Sequence, residues 1–169
     1  MPSNITIRLM HIGDLDQVHA IEMQSFSEPW SREAFERELT VNQAARYVVL
    51  EREGNIVAYG GLWLVMDEAN ITNIAVDNSL RRQGLGRILT EALLRLARCY
   101  DCISVTLEVR PSNEAARALY DSYGFQIVGV RPRYYSQPVE DALLMRKNNI
   151  DQISYDEEEC GCVFGVVYE

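Results

Sequence analysis

The segment Glu68–Val109, "EANITNIAVDNSLRRQGLGRILTEALLRLARCYDCISVTLEV", constrains the fold more than any other part of the chain. Its first ten residues (68–77) read as a strand, with Ile71, Ile74 and Val76 as expected core. The period then changes. Ile88, Leu89, Ala92, Leu93, Leu96 and Ala97 form one apolar stripe of a helix over 87–98. "CISVTLEV" (102–109) returns to a β-branched strand. Strand, helix, strand is a crossover connection, and a crossover places its two strands parallel. An all-helical or purely antiparallel fold is thereby excluded.

The remaining segments read as elements around that crossover. "ITIRLM" (5–10) alternates as a half-buried strand does, and 11–26 carries Ile12, Leu15, Val18, Ile21 and Met23 near helical spacing. Ser31 is the expected N-cap of a helix within 27–39, on which Phe35 and Leu39 share a face. Strands at 45–53 and 56–66 flank a tight Gly54-Asn55 turn. Ser112 is the expected cap of the helix that follows Pro111, and Gly124 its stop. Strands at 125–135 and 140–147 complete the order β-α-α-β-β-β-α-β-α-β-β. The expected class is α/β of the α+β type, with a mixed sheet. The reading divides the chain into one domain over 1–148 and an acidic extension over 149–169. The apolar end of that extension could add a strand to a sheet edge.

A length of 169 residues suits one domain with a real core. No run approaches the roughly 18 apolar residues that span a bilayer, and "MPSNITIRLM" lacks the basic and apolar regions of a signal peptide. The expected compartment is the cytoplasm, with no membrane partner. The net charge is -9, and no Lys/Arg-rich face suggests nucleic acid. Cys99, Cys102, Cys160 and Cys162 are then expected reduced, packing as small apolar groups rather than holding zinc. No metal site is expected.

"RRQGLGR" (Arg81–Arg87), between strand and helix, is laid out as a phosphate cradle. Helix-start N–H groups bind anions, glycines let the backbone approach closely, and arginines add charge. It lacks the Gly-Lys-Ser/Thr of a P-loop and the third glycine of the dinucleotide fingerprint. By itself the turn fits a plain tight turn as well as a phosphate site. The second motif, "EVRPSNEAARALYDSYGF" (108–125), is more specific. Glu108 ends a strand, and Asn113 and Tyr120 lie two turns apart on one helix face.

Together these motifs resemble the GNAT superfamily of N-acetyltransferases. "SFSEPWS" (25–31) and "RPRYYSQPVEDALLM" (131–145) narrow the likeness to its RimI branch, the bacterial ribosomal-protein-alanine N-acetyltransferases. The resemblance covers residues 5 to about 147 and leaves the tail out. It implies the GNAT fold: a mostly antiparallel sheet with a central, splayed parallel pair, flanked by about four helices. It implies acetyl-CoA as co-substrate, its pyrophosphate wrapped by Arg81, Arg82, Gln83, Gly84, Leu85, Gly86 and Arg87. Ile74, Ala75 and Val76 would pair with the pantetheine arm, the Val76 N–H would face the oxyanion, and Asn113 would bind the cofactor. It implies Glu108 as base, Tyr120 as acid, and the N-terminus of a ribosomal protein as acceptor. Tyr134 and Tyr135 would close the peptide slot, opposite Phe26 and Trp30. The protein is expected to be a monomer or weak dimer.

Acetyl transfer from a thioester needs a neutral amine, a donor for the oxyanion and a proton for the thiolate. An α-amine, with a pKa of ~7.7–8.0, is deprotonated near neutrality far more readily than a lysine at ~10.4. Alternatives stay open on the residues alone. Glu108 could pair with Arg110 or Arg117, Tyr120 could be a packed aromatic, and Asn113 could be a second cap. A small-amine or lysine acetyltransferase, and a non-catalytic acetyl-CoA-binding module, are the competing functions. Cys99 and Cys102 lie outside both motifs, and direct attack needs no thiol.

Overall fold

The computed structural model describes residues 4–153 and 167–168. The elements run β1 (Ile5–Leu9), α1 (Leu15–Ser25), α2 (Arg32–Thr40), β2 (Ala45–Arg52), β3 (Asn55–Val65), β4 (Glu68–Val76), α3 (Leu85–Cys99), β5 (Ser104–Val109), α4 (Glu114–Ser122), β6 (Gln126–Ser136), β7 (Val139–Asn148) and β8 (Val167–Tyr168). They build one eight-stranded sheet in the order β6-β7-β5-β4-β3-β2-β1-β8. Its one parallel pair is β4–β5, the pair that the crossover through α3 requires. All other neighbours are antiparallel.

Two apolar layers sandwich the sheet. The larger contains Leu85, Leu89, Leu93, Leu96 and Ala97 of α3, packed on Val48, Ala58, Leu62, Ile71 and Leu107, with Tyr120 and Phe125 beside them. The smaller packs Leu15, Val18 and Ile21 of α1 and Phe35 of α2 on Tyr47, Val49, Tyr59 and Ala75. The expected stripe on α3 therefore holds. On α1 it is rotated: Ile12 and Met23 are exposed, while Glu22 is buried with Leu15 and Val18 at helical spacing.

Boundaries shift for local reasons. Glu53 (φ 52) and Gly54 (φ 79) are the two positive-φ turn residues between β2 and β3, so Asn55 opens β3 rather than the turn. Ser31 caps α2, its hydroxyl accepting the Ala34 N–H at 3.1 Å. α4 is capped by Asn113, whose side chain accepts the Ala116 N–H at 3.2 Å. Ser112 instead donates its hydroxyl to Glu140 at 2.7 Å, which displaces it from the expected capping role. At the other end Gly124 N–H reaches Asp121 O (2.9 Å) and Phe125 N–H reaches Tyr120 O (3.1 Å). That is the Schellman closure, and its usual apolar contact is the Tyr120–Phe125 ring pair at 5.8 Å.

Ile150, just beyond β7, is fully buried in the larger core, so packing continues past residue 148. β8 joins the β1 edge through Ile5↔Tyr168 and Thr6↔Val167. The acidic residues 156–159 and both Cys160 and Cys162 lie outside the described residues. Cys102 is free and buried, but Cys99, at the end of α3, is disulfide-bonded. This corrects the expectation that all cysteines are reduced: Cys99 is only half-buried, and a thiol outside the core is open to pairing. Among the described residues no helix is long and apolar enough to cross a membrane.

Candidate active site

The site begins with a defect in β4. Gly61 faces Asn73 and Leu62 faces Ile71, which leaves Thr72 without an opposite residue in β3. Such a bulge exchanges the faces of a strand. Before it, Ala69 and Ile71 point into the α3 layer. After it, Ile74 and Val76 point there while Ala75 faces α1. The bulge also bends β4 away from β5. Their pairing runs from Glu68↔Ser104 to Ile71↔Leu107 and stops. β5 goes on with β7 through Glu108↔Leu144 and Val109↔Leu143. A slot opens between the two parallel strands.

Hydrogen-bond alternation decides what lines that slot. Asp77 donates its N–H to Val57 O in β3 (2.9 Å), so the N–H of Val76 points the other way, and that of Ile74 with it. Ala75 turns its backbone to β3 and its side chain to the core under α1. Of the three residues expected along the cofactor arm, Ile74 and Val76 offer backbone to the slot and Ala75 does not.

The glycine turn crosses the open end of the slot. Gly84 is the N-cap of α3 at φ 83, a conformation that a glycine takes without strain, and no side chain caps the helix. Arg81, Arg82, Gln83 and Arg87 are exposed, whereas Leu85 is buried and anchors the turn. The first N–H groups of α3, at Leu85 and Gly86, have no partner within their own helix. Arg81 Nε lies 3.5 Å from Val76 O, Arg52 reaches Gln83 Oε1 at 3.3 Å, and the Arg87 guanidinium stacks 5.2 Å from the Tyr123 ring. The predicted cradle is thus a helix start ringed by arginines, one of which, Arg52, comes from β2.

Glu108 stands at the other mouth, its side chain 14% exposed. One oxygen lies 3.2 Å from Arg131 Nε and the other 3.4 Å from Asn70 Nδ2. Neither of the expected partners holds it: Arg110 bonds Pro138 O and Glu140, and Arg117 bonds Pro111 O. The β6 strand bends here. Between Arg131↔Ala142 and Tyr135↔Glu140, residues 132–134 oppose Asp141 alone, and the Asp141 side chain accepts the Arg133 N–H at 2.9 Å. This bulge sets the Tyr134 and Tyr135 rings edge to face at 5.0 Å and brings Arg110 to 4.1 Å from the Tyr135 ring.

Tyr120, on α4, packs its ring in the core, and among the described residues its hydroxyl makes no hydrogen bond. Burial, then the nearby Tyr135, raises its pKa well above the ordinary tyrosine range, so the hydroxyl keeps its proton. Burial likewise pushes Tyr135 up to about 12. Asn113 commits its carbonyl oxygen to the cap and keeps its amide N–H groups for other acceptors. The loop after α1 forms the facing wall. Phe26 is 39% exposed there, Trp30 packs 5.5 Å from the Phe35 ring, and Ser136 of β6 donates its hydroxyl to Glu28 across the opening.

The arrangement puts a slot between β4 and β5, an anion-binding helix start at the glycine turn, and Glu108 and Tyr120 on the strand–helix unit β5–α4. The acetyltransferase (GNAT) family model matches residues 15–125, the segment that contains all of these parts. The chain belongs to the GNAT acetyltransferases. It is therefore an acyltransferase of N-acetyltransferase type. The GNAT relatives match most of the chain. The ribosomal protein bS18-alanine N-acetyltransferase of Escherichia coli (strain K12) is 39% identical over 144 residues, 83% of this chain and 95% of that protein. A relative from Bacillus subtilis (strain 168) is 41% identical over 145 residues, 86% of this chain and 96% of its own. Among solved GNAT structures, the ribosomal-protein-S18-alanine N-acetyltransferase of Escherichia coli superposes with a TM-score of 0.79 at 34% identity, covering 90% of this chain and 97% of that one. Among the described residues no group of three or more His, Cys, Asp or Glu side chains is placed to hold a metal.

Asn70, Arg131 and Glu28 border the site and were not anticipated. Asn70 was readable: it lies two residues before the bulge, in register with Thr106, two residues before Glu108 on the same strand. Arg131 and Glu28 are brought in by β6 and by the loop after α1, and no local signal marks them.

Proposed function

We propose that the chain transfers the acetyl group of acetyl-CoA to the N-terminal α-amine, alanine first, of a ribosomal protein. The reading is supported by a half-buried carboxylate, Glu108, at the end of β5, and a tyrosine kept protonated by burial, Tyr120, on the α4 that follows it. The coenzyme pyrophosphate would sit on the N–H groups of Leu85 and Gly86, with Arg81, Arg82 and Arg87 around it. The identity to bS18-alanine N-acetyltransferases supports the acceptor.

Glu108, directly or through water, takes the proton of the α-ammonium. The amine nitrogen then attacks the thioester carbonyl, and the Val76 N–H faces the oxyanion that forms. The carbon–sulfur bond breaks and Tyr120 gives its proton to the leaving thiolate. The nitrogen loses its second proton to the tyrosinate, so the products are an amide, free coenzyme A and one proton held by Glu108, with Tyr120 restored.

The test is mass spectrometry of a peptide panel varied at its first two residues, incubated with acetyl-CoA. Acetylation of the Ala-first α-amine with internal lysines untouched is expected. Modification of ε-amines or small amines alone would sink the acceptor assignment. Glu108→Gln is expected to bind acetyl-CoA normally and lose turnover by ~10²–10⁴-fold, the usual worth of general base help. Unchanged turnover would refute the base.

A further inference from the structure

α1 carries a carboxylate where its buried stripe calls for an apolar side chain. Leu15, Val18 and Ile21 fill that stripe, and Glu22 completes it at 1% exposure. A carboxylate so deep must be held by donors, and three converge on it. The Trp30 backbone N–H reaches Oε1 at 3.0 Å, the Tyr59 hydroxyl donates to Oε2, and the Asn73 side chain, a third donor, faces the carboxylate and favours its ionised form. The donors belong to three different parts of the fold. Trp30 lies in the loop after α1 that walls the acceptor cleft, Tyr59 in β3, and Asn73 in β4 beside the unopposed Thr72. The Tyr47 hydroxyl, 3.1 Å from Thr72 Oγ1 and 3.5 Å from Asn73 Oδ1, steadies the same bulge. An apolar side chain would fill the stripe without the cost of burying a charge, but it would tie none of these parts together.

We propose that Glu22 is a positioning residue that fastens the loop after α1 to the β4 bulge, so that the acceptor wall and the thioester slot keep one register. The inference rests on the acceptor reading given above. Burial pushes Glu22 up to about 7, and the Trp30 and Asn73 bonds act against that rise. Near pH 8, where an α-amine is substantially neutral, Glu22 is ionised and accepts from Trp30 and Tyr59, with Asn73 facing it.

The experiment compares the full chain with Glu22→Gln and Glu22→Asp at pH 8. It reads the KM of an Ala-first peptide, acetyl-CoA affinity by calorimetry, and backbone hydrogen exchange. Glutamine offers one acceptor oxygen where three donors point. Aspartate keeps the charge but withdraws both oxygens by one carbon. In both variants the peptide KM is expected to rise about tenfold or more, the cost of a lost hydrogen bond to a charged group. Exchange is expected to quicken at 26–31 and 72–74 while α3 stays protected. Wild-type KM and wild-type exchange in both variants would overturn the proposal. So would faster exchange throughout the sheet with KM unchanged, the pattern of a purely structural role. If the wild-type chain acetylates no α-amine, the acceptor reading fails instead, and the exchange measurement still decides whether Glu22 links loop and bulge.

Discussion

Gly61→Ala puts the packing around the bulge to a quantitative test. A Cβ built on Gly61 would stand 2.1, 2.4 and 2.5 Å from Cε1, Cδ1 and Cζ of Tyr47. Carbon atoms settle near ~3.5–4.0 Å, so the ring must retreat by roughly 1.5 Å. It has little room: Tyr47 is 2% exposed, the Phe35 ring stands edge-on at 6.2 Å, and the hydroxyl is bonded to Thr72 and, at 3.2 Å, to Glu38. Overpacking of this kind costs ~1–3 kcal/mol. Displacing the hydroxyl from its partners adds about 1 kcal/mol. Replacing glycine in a strand returns ~0.5–1 kcal/mol. The net expectation is a loss of about 2–3 kcal/mol, or roughly 5–10 °C in Tm for a chain of this size. Thermal and urea unfolding measure it, and Tyr47→Leu added to Gly61→Ala should recover part of the loss, with coupling above ~1 kcal/mol. A Gly61→Ala variant within ~0.5 kcal/mol of wild type, or strict additivity in the pair, would refute the reasoning.

Tyr120→Phe removes a hydroxyl that has no hydrogen bond among the described residues and keeps contact with solvent, so stability should stay within ~0.5 kcal/mol. Turnover should fall by about 10²-fold if the hydroxyl protonates the thiolate, and stopped-flow detection of thiol release checks it. Gly84→Ala meets no atom within 4 Å, so its cost is conformational only: a φ of +83 strains an alanine by ~1–2 kcal/mol, and weaker acetyl-CoA binding in calorimetry should accompany it. Glu22 makes stability depend on pH. Its pKa rises from 4.5 to about 7 on folding, so the folded state binds the proton more tightly than the unfolded chain. Stability is then greatest below about pH 4.5, falls as pH rises towards about 7, and levels off above that, by at most about 3 kcal/mol. Urea titrations across that window should lose their downward slope in Glu22→Gln. Asp14, lowered first by its bond to Arg8, acts in the opposite sense and at lower pH, as its proton goes on.

Much of the fold was legible because it is written in local periodicity. The crossover over 68–109, the stripe on α3, the Ser31 cap and the Gly124 stop all rest on residues within a few positions of one another. The site was legible where it, too, is local: the glycine turn, and Glu108, Asn113 and Tyr120 within one strand–helix unit. The errors have the same origin. Ser112 and Asn113 are both good caps, and Glu140, from β7, decides between them by taking the Ser112 hydroxyl. Glu22 looks like the polar face of an amphipathic helix, and only its position beside Leu15 and Val18 gives it away.

The sequence by itself determined that a parallel pair exists, that a helix start and its arginines follow it, and that an acid and a phenol stand near its far strand. Tertiary structure alone decided how those parts meet. The Thr72 bulge swaps the faces of β4 and parts it from β5. In "ITNIAV" the apolar residues at 71, 74 and 76 break the two-residue period, but a bulge is defined by the partner strand, so that break does not tell where β4 leaves β5. Likewise Arg131 reaches Glu108, Ser136 reaches Glu28, and three donors reach Glu22 only once distant segments have packed. Side-chain pattern reports which way a residue faces. What it faces depends on chain brought from far away, and no local period carries that information.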